Sequence, residues 1–238
     1  MTTTLEQGPT VGTTAQSAEV HGVHGAAGVT RWTCFAGRRQ LQSPSEAVEW
    51  ASIPPGGMSG EHLHSRTEEI YLILTGSGEF LLNGEAHPVE PGTLALTGVG
   101  NVHGLRNTGT TDLDWLVIET LAPPTRSVLA GQRPTHGGAP VSKAVLFDLF
   151  ADKHVDTTGV FSGPLKRVEV VDVQAGTATT LGQLTAELAI YVYAGTGTTS
   201  TGVQVSPGTC VLLPSATTTD FTATNDLRLL VTTLSVTP

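Results

Sequence analysis

Charged side chains, aromatic rings and cysteine are all scarce in this chain of 238 residues. Only 14% of the residues are charged and 5% are aromatic, and the 21 acidic residues against 12 basic ones give a formal net charge of −9. The sequence has no basic run, and no aromatic residues alternate with arginine as on nucleic-acid-binding surfaces. This composition argues against nucleic acid and anionic membranes as partners.

Long apolar runs and a cysteine framework are also missing. No stretch approaches the roughly 20 apolar residues that span a bilayer, and the first residues lack the basic and apolar regions of a secretion signal. Cys34 and Cys210 form no CxxC pair, so we interpret both as reduced thiols packed like small apolar side chains. These absences predict a cytoplasmic location.

The residues that are plentiful favour strands and turns. The chain has 28 glycines and 14 prolines, with abundant Thr and Val. Asn83-Gly84 between two apolar runs is a strong hairpin signal. Short strands are predicted at 47–53, 70–74, 79–82, 93–97, 103–107 and 113–121. Short strands at such regular spacing indicate a sandwich or a barrel.

Three histidines and one glutamate have the spacing of a single metal site. Residues two apart on a strand face the same side, so His62 and His64 present both rings together. A short turn would bring Glu69 back beside them, and His103 must arrive from a second hairpin. Imidazole and carboxylate donors suit Fe, Mn, Ni, Co or Zn. The sequence therefore predicts one divalent transition metal bound by these four side chains.

These residues lie in two longer patterns. Gly56 to Gly76 reads G-x5-H-x-H-x4-E-x6-G, and Gly92 to Asn107 reads G-x5-P-x-G-x2-H-x3-N, except that Gly98 replaces the proline. That exchange affects a turn and no ligand. In both patterns the chain resembles the cupin family. The resemblance implies small β-barrels of the jelly-roll type and a mononuclear centre with three His ligands and one Glu.

The second half of the chain repeats the first. The segment 189–197 parallels 70–78, and Pro207-Gly208-Thr209 parallels Pro91-Gly92-Thr93. The chain thus resembles a bicupin, an all-β protein with two jelly-roll barrels in tandem. Alignment on the glycines puts four non-ligands where the metal ligands stand in the first half, namely Leu181, Gln183, Leu188 and Thr219. We expect a metal-free second barrel that packs on the first, covers sheet edges, forms a dimer interface or holds a pocket of its own.

This organisation predicts four segments. They are a flexible N-terminal arm at 1–29, a metal-binding cupin domain at 30–123, an interdomain connection at 124–159 and a degenerate cupin domain at 160–238. Several histidines lie outside both motifs and are predicted to be surface or loop residues. They are His21, His24, His87, His136 and His154.

The remaining pocket residues depend on which way each strand faces. Tyr71 shares a face with Glu69, so it is either a catalytic hydrogen-bond donor or a core aromatic residue. Glu119 is a candidate base just outside the ligand set. The pattern leaves open which member of Glu49 and Trp50, and of Trp115 and Leu116, faces the pocket. Glu68 and Arg66 are predicted to face solvent, and Asn107 to stabilise a turn.

Three functions fit such a site. Four ligands would saturate tetrahedral zinc, whereas an octahedral ion keeps two open positions, so Fe, Mn, Ni or Co is favoured and Zn remains an option. The first hypothesis is a non-haem oxygenase that uses dioxygen on a small organic substrate. The second is a non-redox Lewis-acid isomerase, cyclase, decarboxylase or lyase. The third is a small-molecule-binding protein without turnover. The resemblance also implies a homodimer.

Overall fold

The computed structural model describes residues 8–132 and 143–236, and nearly all regular structure in them is β-strand. The first part contains β1 (Thr10–Thr13), β2 (Ala18–His21), β3 (Val29–Gly37), β4 (Ser45–Ile53), β5 (Met58–Leu63), β6 (Thr67–Thr75), β7 (Gly78–Leu82), β8 (Glu85–Val89), β9 (Thr93–Thr97), β10 (Val102–Asn107) and β11 (Leu113–Leu121). Two 3-10 turns, Thr14–Gln16 and Val23–Gly25, flank β2.

The second part begins with α1 (Pro123–Leu129), which is followed by β12 (Ala144–Asp148), α2 (Leu149–Asp152) and β13 (His154–Asp156). The remaining strands are β14 (Leu165–Val173), β15 (Ala178–Gly182), β16 (Ala186–Ala194), β17 (Gly197–Thr199), β18 (Gln204–Val205), β19 (Thr209–Leu213), β20 (Thr218–Ala223) and β21 (Leu227–Ser235). Within the described ranges, neither helix has the length and apolar character that crossing a membrane demands.

The strands form two jelly-roll barrels in tandem, which confirms the predicted all-β fold. In the first barrel, a seven-stranded sheet in the order β12-β9-β6-β11-β4-β3-β2 faces a four-stranded sheet, β5-β10-β7-β8. In the second, a six-stranded sheet in the order β1-β19-β16-β21-β14-β13 faces β15-β20-β17-β18. The central pairings of both large sheets are antiparallel.

The two large sheets pack back to back. One apolar cluster joins the barrels through residues such as Trp50, Leu116 and Leu230, while each barrel also has its own inner cluster. The large sheet of the first barrel is therefore buried on both faces, as the unbroken burial of β6 illustrates. This settles the facing left open by the sequence: Trp50 and Leu116 face the second barrel, whereas Glu49 and Trp115 line the interior of the first.

Each barrel lends a strand to the other. β1 lies just before the first barrel in the chain but pairs with β19 of the second barrel. In the same way, β12 lies before the second barrel but pairs with β9 of the first. The expected loosely attached arm is therefore wrong for residues 10–21, which form two paired strands. Strands β19 and β9 gain backbone partners from this exchange, and the short strands β1 and β12 become the edges of the two large sheets. The segment boundaries at 29, 123 and 159 stay a prediction.

Two buried glutamates tie the barrels together in equivalent ways. The Glu68 carboxylate accepts hydrogen bonds from the backbone N–H groups of Ser162 (2.8 Å) and Gly163 (2.7 Å), just before β14. The Glu187 carboxylate accepts from the backbone N–H groups of Gln42 (2.8 Å) and Ser43 (2.9 Å), just before β4. Glu68 is only 1% exposed, so its predicted solvent-facing position is wrong. The carboxylate is needed because these N–H groups have no strand partner.

Predictions for several other side chains are confirmed in some cases and wrong in others. Asn107 holds its turn as predicted, because its amide donates to the carbonyls of Ile53 (2.9 Å) and Thr111 (2.8 Å). Cys210 is buried, but Cys34 is exposed, which contradicts its predicted packing as a small apolar residue. Arg66 and His154 are exposed as predicted, His87 is half-buried in β8, and His136 lies outside the described residues.

Removing the Glu68 carboxylate should loosen the contact between the barrels. We expect Glu68→Ala to lower the free energy of unfolding by about 1–3 kcal/mol, because two N–H groups lose their acceptor. Exposed Glu85 provides the matched control, and Glu85→Ala should change the free energy of unfolding by less than about 0.5 kcal/mol. Denaturant unfolding measures both. Equal stability of the two variants would contradict the role assigned to Glu68.

Candidate metal centre

Three strands of the first barrel bring the four predicted ligands together. His62 on β5 lies directly opposite His103 on β10, and His64 follows at the end of β5. Glu69 lies near the start of β6, facing inward beside β9 and β11. One ligand atom from each of His62, His64, Glu69 and His103 lies within 4.8 Å of the other three. The structure thus assembles the predicted quartet from both hairpins.

The innermost donor atoms lie close enough for one ion to bridge. Glu69 Oε2 is 2.9 Å from His103 Nε2 and 3.2 Å from His64 Nε2, and these two nitrogens are 3.1 Å apart. Glu69 Oε2 is buried and has no partner of hydrogen-bond geometry. A buried carboxylate oxygen without a hydrogen-bond donor, grouped with imidazole nitrogens, is a donor set that fits a divalent transition metal.

The second nitrogen of each ring is held by a protein oxygen. His62 Nδ1 lies 3.0 Å from the Gly60 carbonyl, and His103 Nδ1 lies 2.7 Å from Thr97 Oγ1. A carbonyl can only accept, so His62 carries its proton on Nδ1 and presents the Nε2 lone pair to the site. Partners of this kind orient ligand histidines and fix their tautomers.

Glu119 is linked to His64 by hydrogen bonds through Thr67. The Thr67 hydroxyl donates to Glu119 Oε1 over 2.6 Å, and Thr67 Oγ1 lies 3.3 Å from His64 Nδ1. Since the hydroxyl proton goes to Glu119, the Thr67 oxygen is free to accept the proton of His64 Nδ1. Glu119 therefore lies just outside the ligand set, where the sequence predicted it, and helps to orient His64.

The protonation states suit metal binding. Burial alone would raise the pKa of Glu69, but its contacts with His103 and His64 hold that pKa below its ordinary value. Burial lowers the pKa values of His62 and His103. It would also lower the pKa of His64, but Glu69 raises that value overall. The site thus offers an ionised carboxylate and two rings that favour the neutral, metal-binding form.

A cavity of about 470 Å³ opens beside these ligands. Tyr71 and Trp115 form part of its wall, and burial raises the pKa of Tyr71 well above its ordinary value, so the phenol stays protonated. Trp115 Nε1 is buried without a hydrogen-bond partner. The wall therefore contains neutral donors that a substrate oxygen can satisfy.

The sequence left the facing of one member of this wall open and gave no indication of another. Glu49 lines the cavity, and burial raises its pKa to about 7 although a hydrogen bond from Trp32 opposes the shift. His24 is exposed, as predicted, but its ring stacks on His62 with centroids 3.5 Å apart and planes 10° from parallel. Strand alternation made Glu49 a candidate without deciding its facing, whereas no spacing rule connects His24 to the ligand motifs.

Comparisons with known proteins agree with this geometry. The family model for the cupin domain matches residues 49–119. The chain is also 30% identical over 99 residues to an oxalate-binding protein from Thermotoga maritima, covering 42% of this chain and 82% of that protein. The chain belongs to the cupin family. The matched segment contains all four candidate ligands of this cupin.

Solved structures resemble the whole two-barrel arrangement. A bacterial pirin from Escherichia coli in complex with nickel(II) has a TM-score of 0.70 at 13% identity, covering 95% of this chain and 99% of that one. A salicylate 1,2-dioxygenase variant from Pseudoaminobacter salicylatoxidans in complex with gentisate has a TM-score of 0.62 at 17% identity. The match covers 85% of this chain and 73% of that one. At these identities the similarity shows a shared fold alone.

The second barrel aligns as the sequence predicted. Leu181 on β15 lies opposite Thr219 on β20, just as His62 lies opposite His103 in the first barrel. Leu188 is buried in the inner cluster of the second barrel, and Thr219 Oγ1 bonds to Ser200 Oγ at 2.9 Å. Leucine side chains offer no donor atom, so these positions cannot reproduce the quartet of the first barrel.

Loss of the hydroxyl behind His103 should weaken metal binding. We expect Thr97→Val to lower the affinity for Ni²⁺ or Co²⁺ by about 10- to 100-fold, because His103 Nδ1 loses the partner that orients the ring. Thr232→Val is the matched control, since Thr232 is equally buried but its hydroxyl has no hydrogen-bond partner. Competition with a chelator measures both affinities. Wild-type affinity in Thr97→Val would contradict this role.

The buried carboxyl of Glu49 should make stability depend on pH. Burial raises the pKa of Glu49 from 4.5 to about 7. The contribution of this carboxyl to the free energy of unfolding is therefore complete below pH 4.5 and is lost as the pH rises toward 7. In metal-free protein, we expect Glu49→Gln to be more stable than wild type by up to about 3 kcal/mol at about pH 8, but not at about pH 4. Thermal unfolding at both pH values tests this, with exposed Glu90→Gln as the control. A pH-independent difference would refute it.

Proposed function

We propose that this cupin is a metal-dependent enzyme for a small organic substrate, and in the first instance a non-haem oxygenase that uses dioxygen. One observation supports this most strongly. Glu69 Oε2 lies close to a ring nitrogen of His64 and one of His103, but neither contact has the geometry of a hydrogen bond. These atoms lie beside a cavity of small-molecule size. Fe, Mn, Ni or Co is the favoured ion, and Zn remains an option.

The protein's own residues would divide the work. His62, His64, Glu69 and His103 would hold the metal ion, which, when bound, supplies a Lewis acid with coordination positions open to the cavity. Tyr71 would donate a hydrogen bond to substrate, since its phenol stays protonated. Glu119 would keep His64 oriented through Thr67. Apolar side chains in the wall, such as Val117 and Trp115, would help to keep bulk water away from the reacting atoms.

The donors in the wall favour a substrate rich in oxygen. Trp115 Nε1 is unpaired, so an enol, catechol or keto-acid oxygen would satisfy a group that is otherwise costly to bury. Two similar proteins are associated by name with small acids of this kind, oxalate in one case and gentisate in the other. These names support the substrate class without identifying the substrate.

A second candidate is non-redox chemistry, namely isomerisation, cyclisation, decarboxylation or elimination. Two further carboxyls on the wall, Glu49 and Glu119, favour it, because the pKa of each is raised by burial. The pKa of Glu49, raised to about 7, lies near neutrality, so this carboxyl can both give and take a proton. The catalytic roles of Tyr71 and Glu119 are proposals under either chemistry, as are the homodimer and the cytoplasmic location.

The ligands and the oxygen requirement can be tested together. We expect purified protein to retain one equivalent of metal, and His62→Ala and His103→Ala to lose both the metal and activity toward enols or keto acids. His154→Ala should behave as wild type, because that exposed histidine lies in the second barrel. Elemental analysis and oxygen uptake are the measurements.

Anaerobic assays separate the two chemistries. Turnover that stops without oxygen supports the oxygenase, and turnover that continues at the same rate supports the Lewis-acid alternative. Full activity in both ligand variants would overturn any catalytic role for the metal. Stoichiometric metal without turnover of any substrate tested would leave the third candidate, a binding protein, in place of both.

A further inference from the structure

A short segment before the first barrel lies across its metal site. We define this strap as residues 22–28. Its 3-10 turn is closed by hydrogen bonds from Gly25 N to the Gly22 carbonyl (3.0 Å) and from Ala26 N to the Val23 carbonyl (3.1 Å). His24 at its tip has a φ of 51°, a left-handed conformation that is uncommon for a residue with a Cβ. Such conformations persist where the surroundings enforce them.

The strap places one ring on one ligand. His24 stacks flat on His62, with centroids 3.5 Å apart. His62 is the half-buried member of the quartet, whereas the other three ligands are buried. His24 therefore covers the ligand that the barrel itself leaves uncovered, and Val23 beside it lines the same cavity.

A glycine permits this close approach. A Cβ on Gly60, two residues before His62, would lie 2.2 Å from the His24 carbonyl oxygen. Any larger residue at position 60 would push the strap away from β5. Two features thus allow the strap to lie close to β5: the glycine at position 60 and the turn at the tip of the strap.

Both barrels hold the strap in place. β2 pairs with β3 of the first barrel immediately before the strap. Further upstream, β1 pairs with β19 of the second barrel, and Thr14 N donates to the Gly208 carbonyl (3.1 Å). The second barrel therefore helps to fix a segment that covers the site of the first.

We propose that His24 is a positioning residue for the metal centre: its stacked ring holds the His62 imidazole in place and slows release of the metal. This inference rests on the proposed metal site and deepens it. It also gives the second barrel, which lacks the ligands, a part in the function of the first, because its edge anchors the strap.

Release of nickel from the 238-residue chain tests this directly. Protein loaded with Ni²⁺ is mixed with excess chelator and the release rate is followed. We expect His24→Ala to release the ion roughly threefold to tenfold faster, the factor that loss of one aromatic contact supplies. His24→Phe, which keeps a flat ring, should stay within about twofold of wild type. His21→Ala, an exposed histidine on neighbouring β2, should not change the rate.

A second variant reaches the same contact from the other side. Gly60→Ala displaces the strap without altering His24, and it should also speed release. If both changes act by removing the stack, the double variant should release nickel no faster than the faster single variant.

Each outcome has a defined meaning. Equal release from wild type and His24→Ala, or equally fast release from His24→Phe and His24→Ala, overturns the positioning role while leaving the metal site intact. Fully multiplicative effects in the double variant also overturn it. A wild-type protein that binds no nickel, cobalt, iron or manganese overturns the proposed function itself, and the inference with it.

Discussion

Burial of both faces of the seven-stranded sheet is the constraint on which this architecture depends. One face packs against the large sheet of the second barrel, and the other lines the cavity beside the candidate metal ligands. Neighbouring residues on β6 therefore serve opposite sides. Glu68 faces outward and binds backbone N–H groups of the second barrel, whereas Glu69 faces inward and joins the ligands. The same strand thus couples the attachment of the barrels to the position of a ligand.

The two halves share their interface but differ in their interiors. Glu68 and Glu187 bind equivalent backbone groups across the contact, because each barrel presents unpaired N–H groups just before a central strand. One residue further along, Glu69 is matched by Leu188. The outer face of the sheet must satisfy the same packing in both barrels, while the interior is free to differ. This separates the structural role of the duplication from its chemistry.

The site itself is defined as much by its surroundings as by its ligands. Each imidazole has an oxygen partner behind it, and Glu119 sets the direction of one of these contacts through Thr67. The cavity wall supplies the unpaired N–H of Trp115 on one part and carboxyls with raised pKa values on another. This combination suits a small oxygen-bearing substrate held at a metal, with protons available nearby.

The sequence by itself determined the all-β class, the duplication and the quartet of candidate ligands. These rest on local rules: residues two apart share a face, Asn83-Gly84 forces a turn, and donor atoms come at fixed spacings. Only the tertiary structure decided which of Glu49 and Trp50 faces the cavity, because a strand buried on both sides loses its polar and apolar alternation. It also decided the exchange of β1 and β12, the burial of Glu68 and the stacking of His24 on His62. Each of these is a contact between segments distant in the chain, and no local pattern encodes it.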